Sequence, residues 1–266
     1  MSFARQLSIC RSGDDVAIAP NELEWQLARL QRPGMFGERQ IQQILQPGKY
    51  SFDPFKRPKW QPASWLAPDA AERRKQRVRL PRRARIENVL WQQWDVLDWT
   101  LHLPTGEDVV TVPVDYTDDA GLGYYNCRLI KPNDVIWLQH RSIIVNFHYQ
   151  DDYLERYVLG LNGGCSIEQH EFAHVDMPLD TGSGYLVLGR LDPFDHALEL
   201  TAFVVKPMQR VYIPAHTIHT NDYLLGRWET LLSSACEFPS AQIKPPIDTS
   251  NDIVHEHALP PLAFYE

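Results

Sequence analysis

Four of the chain's ten histidines fall in two short stretches, His170-Glu-Phe-Ala-His174-Val-Asp176 and Val211-Tyr-Ile-Pro-Ala-His216-Thr-Ile-His219. Imidazole and carboxylate together are the usual donors of a catalytic divalent-metal site. The first stretch spells H-E-x-x-H, which on a helix binds zinc with the glutamate as base. A separation of four also places both histidines on one face of a strand. Gly163-Gly164 precedes the stretch and Pro178 follows it, so a helix there would be short. No helix bearing a third ligand follows, and Glu199 sits in the strand-like run Leu198–Val205, so the zinc-peptidase reading ranks last. On a strand, Glu168, His170, Phe172, His174 and Asp176 share a face. His170 and His174 are then ~13 Å apart, too far for one ion without a strong bulge, whereas His174 and Asp176 are ~6.6 Å apart and can converge. The sharper unit is H-x-D, with His219 from another strand as third ligand. His170 and His216 are expected to orient the ligands or to contact substrate. The plainer alternatives are that His174 is a satisfied core histidine and His219 caps a strand end.

Positioning such donors needs β-structure, and the pattern from about residue 88 to 236 supplies it. Strand-like runs lie at 124–130, 134–138, 142–148, 156–160, 165–176, 184–191, 198–205, 209–213 and 228–234. Many short strands without intervening helices indicate a sandwich or barrel. Thr105-Gly106 between Trp99–Leu103 and Val109–Val114 is hairpin-like. Residues 1–87 form a helical and irregular, proline-rich extension. One helix is expected from a capping-box start at Asn21 to Pro33-Gly34, and a second over 37–45. An irregular stretch over 47–70 is anchored by Trp60 and Trp65. Residues 237–266 form an extended tail with Leu262 and Phe264 tucked against the body.

The stretch Val211–His219 resembles the second motif of cupins, P-x-G-x-x-H, in which a strand ends at proline and the histidine points into a barrel. Pro214 and His219 match, and His216 replaces the glycine. Gly184-Tyr-Leu-Val-Leu-Gly-Arg-Leu191 resembles the strand and glycine closing the first cupin motif. The resemblance covers residues 165–235 and implies a cupin-like double-stranded β-helix, a jelly-roll barrel. The family's H-x-H and glutamate are absent in register, and H-x-D stands instead. The iron(II), 2-oxoglutarate-dependent oxygenases share that fold and carry H-x-D/E with a distal histidine. This implies an Fe(II) site at His174, Asp176 and His219, with Arg227 as anchor for a 2-oxoglutarate carboxylate. Two histidines and a carboxylate on one side of the ion leave positions open for oxygen and substrate.

The remaining composition narrows the function. The 266 residues suffice for a sizeable core, and the net charge of −8 gives no drive toward nucleic acid. No apolar run approaches the ~20 residues of a membrane span, and the N-terminus lacks a signal-peptide run. The four cysteines show no C-x-x-C and are read as reduced thiols of a cytoplasmic protein. A basic run from Arg73 to Arg85 is read first as a solvated helix ending at Pro81, and second as a patch for an anionic partner. No dinucleotide, P-loop or G-x-S-x-G signature is present. The leading expectation is a mononuclear non-haem Fe(II) oxygenase acting on a small organic substrate, which Tyr185 and Tyr212 would position. The alternatives are a cupin-type lyase, isomerase or hydrolase using the metal as Lewis acid, and a non-enzymatic ligand-binding cupin. A homodimer is expected by family analogy.

Overall fold

The computed structural model describes residues 40–52, 60–62, 78–93, 98–104, 109–132, 134–138, 142–155, 165–169, 172–232, 240–244 and 262–265. It is mainly β, with a curled half-barrel sheet. The first sheet has the order β1 (Gln40–Leu45), β10 (Ser142–Tyr149), β17 (Gly226–Leu232), β12 (His174–Pro178), β15 (Arg210–Ile213), β8 (Arg128–Ile130), all antiparallel. The second has the order β19 (Leu262–Tyr265), β7 (Val110–Tyr116), β14 (Leu198–Val204), β13 (Leu186–Leu191), β16 (Ile218–Thr220), β11 (Cys165–Glu168), β18 (Ser240–Lys244), β6 (Asp98–His102), β5 (Leu90–Gln93), with β4 (Ala84–Ile86) also paired to β14. A third, small sheet joins β3 (Trp60–Pro62), β2 (Gly48–Phe52) and β9 (Val135–Leu138).

Between β10 and β17 the chain passes repeatedly from one large sheet to the other. Alternation along each strand then sends one set of side chains inward. Ile143 and Val145 of β10, Val211 and Ile213 of β15 and Trp228 of β17 share the main core with Leu188 of β13. The opposite face of the first sheet, through Ile144, Val175 and Leu231, packs on Tyr50, Phe52 and Trp60 beneath the small sheet. Trp60 is thus buried as an anchor, but the described parts of the stretch expected to be irregular are strands β2 and β3; Trp65 lies outside the described residues.

Several expectations are corrected. The helix over 21–33 lies outside the described residues, but the described part of the one expected over 37–45 is strand β1. A bulge between Ile41 and Gln43 breaks the two-residue alternation there, leaving Ile41, Ile44 and Leu45 at helix-like spacing. Trp99–Leu103 and Val109–Val114 do not form a hairpin. β6 lies between β18 and β5, and β7 between β19 and β14, so distant parallel partners replace the local one. The run 165–176 is two strands in different sheets. Run 124–130 begins inside a 3-10 turn (Gly123–Tyr125) that follows a short helix, α1 (Asp119–Leu122), and only its last three residues form β8. Of residues 237–266, Ser240–Lys244 form β18 inside the second sheet, Leu262 is buried in β19, and Phe264 stacks on Tyr185 with centroids 4.4 Å apart.

The described part of the basic run, from Val78, is extended rather than helical. Its arginines are held by acids of the body. Arg79 pairs with Asp115 at 2.8 Å, Arg83 with Glu199 at 2.8 Å, and Arg85 with Glu199 at 2.9 Å and Asp192 at 3.1 Å. Arg79, Arg83 and Arg85 are thus paired with acids on β7, on β14 and just after β13. Among the described residues no helix is long and apolar enough to cross a membrane. Cys127 is buried, and its thiol donates to the Tyr125 carbonyl at 3.5 Å.

Candidate metal centre

Every residue of β12 is buried, because β17 and β15 flank it and each face has a packed layer against it. Val175 enters the outer cluster, so His174 and Asp176 point inward toward the second sheet. There they meet β16, which begins directly after the turn at Pro214. His216 occupies that turn with φ of 66°, a left-handed conformation in which glycine is favoured. β16 pairs with both β11 and β13, and His219 stands opposite Glu168 on one side and Leu188 on the other.

His174 Nε2 lies 3.2 Å from Asp176 Oδ2, and the His174 and His219 rings are 4.6 Å apart between centroids. His219 Nε2 lies 3.0 Å from Glu168 Oε1. His174, Asp176 and His219 are each at most 2% exposed, whereas the Glu168 side chain is 22% exposed. Two neighbours fix the donors. Thr230, opposite Asp176 in β17, donates its hydroxyl to Asp176 Oδ1 at 2.8 Å. His219 Nδ1–H donates to the Thr217 carbonyl at 3.0 Å, which turns Nε2 toward the cluster.

The electrostatics follow from this packing. Burial pushes the Asp176 carboxyl up, but the charge and hydrogen bond of His174 and the Thr230 hydroxyl outweigh it, leaving it below the usual carboxylate value. Burial pushes the His219 imidazolium down, and the hydrogen bond and charge of Glu168 reverse that, raising it above the ordinary histidine value. Burial raises the nearby Cys127 thiol.

Among the described residues no three His, Cys, Asp or Glu side chains stand in the arrangement of a formed metal site. The donors face each other as two pairs, His174 with Asp176 and His219 with Glu168. The pair distances nevertheless suit an ion. Two ligands at right angles, each about 2.1 Å from a metal, are themselves about 3.0 Å apart.

The other expected site residues lie elsewhere. Arg227 is on the outward face of β17, because Thr230 of the same strand points inward and the two are an odd number apart. Its guanidinium is exposed and bound by Asp180 at 2.7 Å. It does not reach the cluster. Tyr185 stacks on Phe264 of the tail, and Tyr212 faces outward beneath the Arg128 guanidinium. His216 is exposed, and its carbonyl accepts a hydrogen bond from Gln169. His170 lies outside the described residues. Glu168 was not selected from the sequence; its only signal was its even spacing from His170 and His174, and that assumed a single strand.

No protein-family model matches the chain, and no curated protein matches it.

Proposed function

We propose that this protein is a metal-dependent enzyme of the cupin type, a mononuclear non-haem iron(II) oxygenase acting on a small organic substrate. The observation that carries the reading is the convergence of two imidazoles and a carboxylate, from two facing sheets, at one fully buried place. Isolated buried charge is costly, and a chain keeps such a group where it serves binding or catalysis.

The topology supports the fold part. Strands β10 to β17, taken as eight successive strands, lie in the orders first–eighth–third–sixth and second–seventh–fourth–fifth. That is the strand order of a double-stranded β-helix. The left-handed turn at His216 supports the motif resemblance, since the family's glycine would stand there. So does Gly184, whose φ is 67° and where an added Cβ would lie 2.2 Å from the Tyr223 carbonyl oxygen.

In this reading His174, Asp176 and His219 hold the ion. When bound, ferrous iron would supply open coordination positions at which oxygen and substrate can be brought together. The chain's own contribution is positional. The Thr217 carbonyl selects the His219 tautomer, the Thr230 hydroxyl fixes one carboxylate oxygen of Asp176, and the surrounding Leu188, Val211 and Ile213 exclude water. A 2-oxoglutarate cosubstrate would need an anchor other than Arg227. That outward arginine also favours the second reading, a lyase, isomerase or hydrolase that uses the metal as Lewis acid.

Anaerobic loading with Fe(II), followed by oxygen-electrode measurements with a panel of small organic acids, tests the choice. Oxygen uptake above that of free iron, abolished in His219→Ala, supports the oxygenase. Tight metal binding without oxygen uptake against any panel member moves the assignment to Lewis-acid chemistry.

A further inference from the structure

Glu168 stands against the nitrogen of His219 that the proposed ion would use. The ring has only two nitrogens. Nδ1–H is engaged by the Thr217 carbonyl at 3.0 Å, the position where a metal-binding histidine normally keeps its orienting partner. Glu168 Oε1 lies 3.0 Å from the other nitrogen, Nε2. A carboxylate that merely orients the ring belongs on the side away from the metal, and that side is taken. Backbone pairing makes the approach firm: Glu168 and His219 are direct partners in the β11–β16 ladder. The 3.0 Å separation is that of two neighbouring ligands on one ion.

From this geometry we infer that Glu168 is a fourth metal ligand, giving a centre of two histidines and two carboxylates: His174, Asp176, His219 and Glu168. The inference rests on the metal site proposed above and changes its chemistry. Two carboxylates neutralise a divalent ion, and four protein ligands leave two positions of an octahedron open rather than three. Two positions accommodate oxygen and one substrate atom. They do not accommodate oxygen beside a 2-oxo acid chelating through two atoms. With Arg227 facing outward, this removes 2-oxoglutarate from the scheme and points to a substrate that binds the metal directly through one oxygen or nitrogen.

Cobalt(II) is the probe, because its visible absorption reports coordination without any turnover. The full chain is titrated with cobalt(II), following affinity calorimetrically and the spectrum in parallel. Glu168→Gln, close in shape to the native side chain, is expected to weaken binding tenfold or more and to change the visible bands. Glu168→Ala should do the same, and far-ultraviolet circular dichroism confirms that each variant is folded. Native affinity and bands in both Glu168 variants, with binding lost in His174→Ala and His219→Ala, would overturn the fourth ligand and leave the three-ligand site standing. Binding indifferent to all four substitutions would remove the site itself, and the inference with it.

Discussion

Replacing Glu199 by glutamine gives a sharp test of how the N-terminal arginines hold the second sheet. Glu199 sits mid-strand in β14, opposite Arg85 of β4, with a side chain only 2% exposed. One oxygen accepts from Arg83 Nε at 2.8 Å and Arg85 Nη1 at 2.9 Å; the other accepts from the Tyr124 hydroxyl. A hydrogen bond to a charged group contributes about 1.5–3 kcal/mol. The two arginine side chains are 26% and 31% exposed, so water partly replaces the carboxylate, and glutamine still accepts one bond. The expected loss is therefore about 2–3 kcal/mol at neutral pH, below the roughly 3–6 kcal/mol that the two arginine bonds would sum to if fully buried. In urea this appears as a lower midpoint with an unchanged slope. The pH dependence supplies a second reading. Burial pushes the Glu199 carboxyl up, but the hydrogen bonds from Tyr124 and Arg83 outweigh it and hold it below its ordinary 4.5. A carboxyl lowered by folding stabilises above its unfolded value and loses that effect as pH falls through its folded value. The gap between native protein and Glu199→Gln should be full at pH 7 and close progressively below about pH 4.5. A gap under about 0.5 kcal/mol at pH 7, or one that stays constant into acid, would refute the clamp.

Three further outcomes follow from the packing. Gly184→Ala forces a Cβ to 2.2 Å from a backbone carbonyl at φ of 67°, so thermal denaturation should show a loss of about 2 kcal/mol or more. Thr230→Val removes the hydroxyl that fixes Asp176 Oδ1; metal titration should show affinity reduced about 10- to 100-fold. Phe264→Ala removes the ring stacked on Tyr185 and set edge-on to Tyr223 at 4.8 Å, so amide exchange in β19 should quicken while that of β13 and β14 is unchanged.

What could be read from residues alone was local. The apolar runs of β10, β13 and β14 marked those strands because the signal lies within the strand itself, most residues of each being buried. The pair His174 and Asp176 was legible for the same reason, since two-residue spacing dictates a shared face wherever a strand forms. What failed depended on distant partners. β16 is three residues long and exists only because β11 and β13 flank it, so nothing local announced it. β1 looked helical because a bulge disguised its alternation. Glu168 joined the cluster through strand pairing with His219, which no spacing along the chain encodes. Arg227 was chosen by family analogy, and the parity of β17 turned it outward. The basic run reads as a solvated helix because the acidic partners of its arginines are remote, Asp115 in β7 and Glu199 in β14.

The central claim is that one divalent ion is held where the two large sheets face each other. The direct measurement is metal content after anaerobic reconstitution with Fe(II) and gel filtration, for the native chain and for His174→Ala, Asp176→Ala and His219→Ala. The account predicts about one iron per chain in the native protein and almost none in each variant, with all four folded by circular dichroism. Native protein that retains no iron, or variants that retain as much as the native chain, would contradict it.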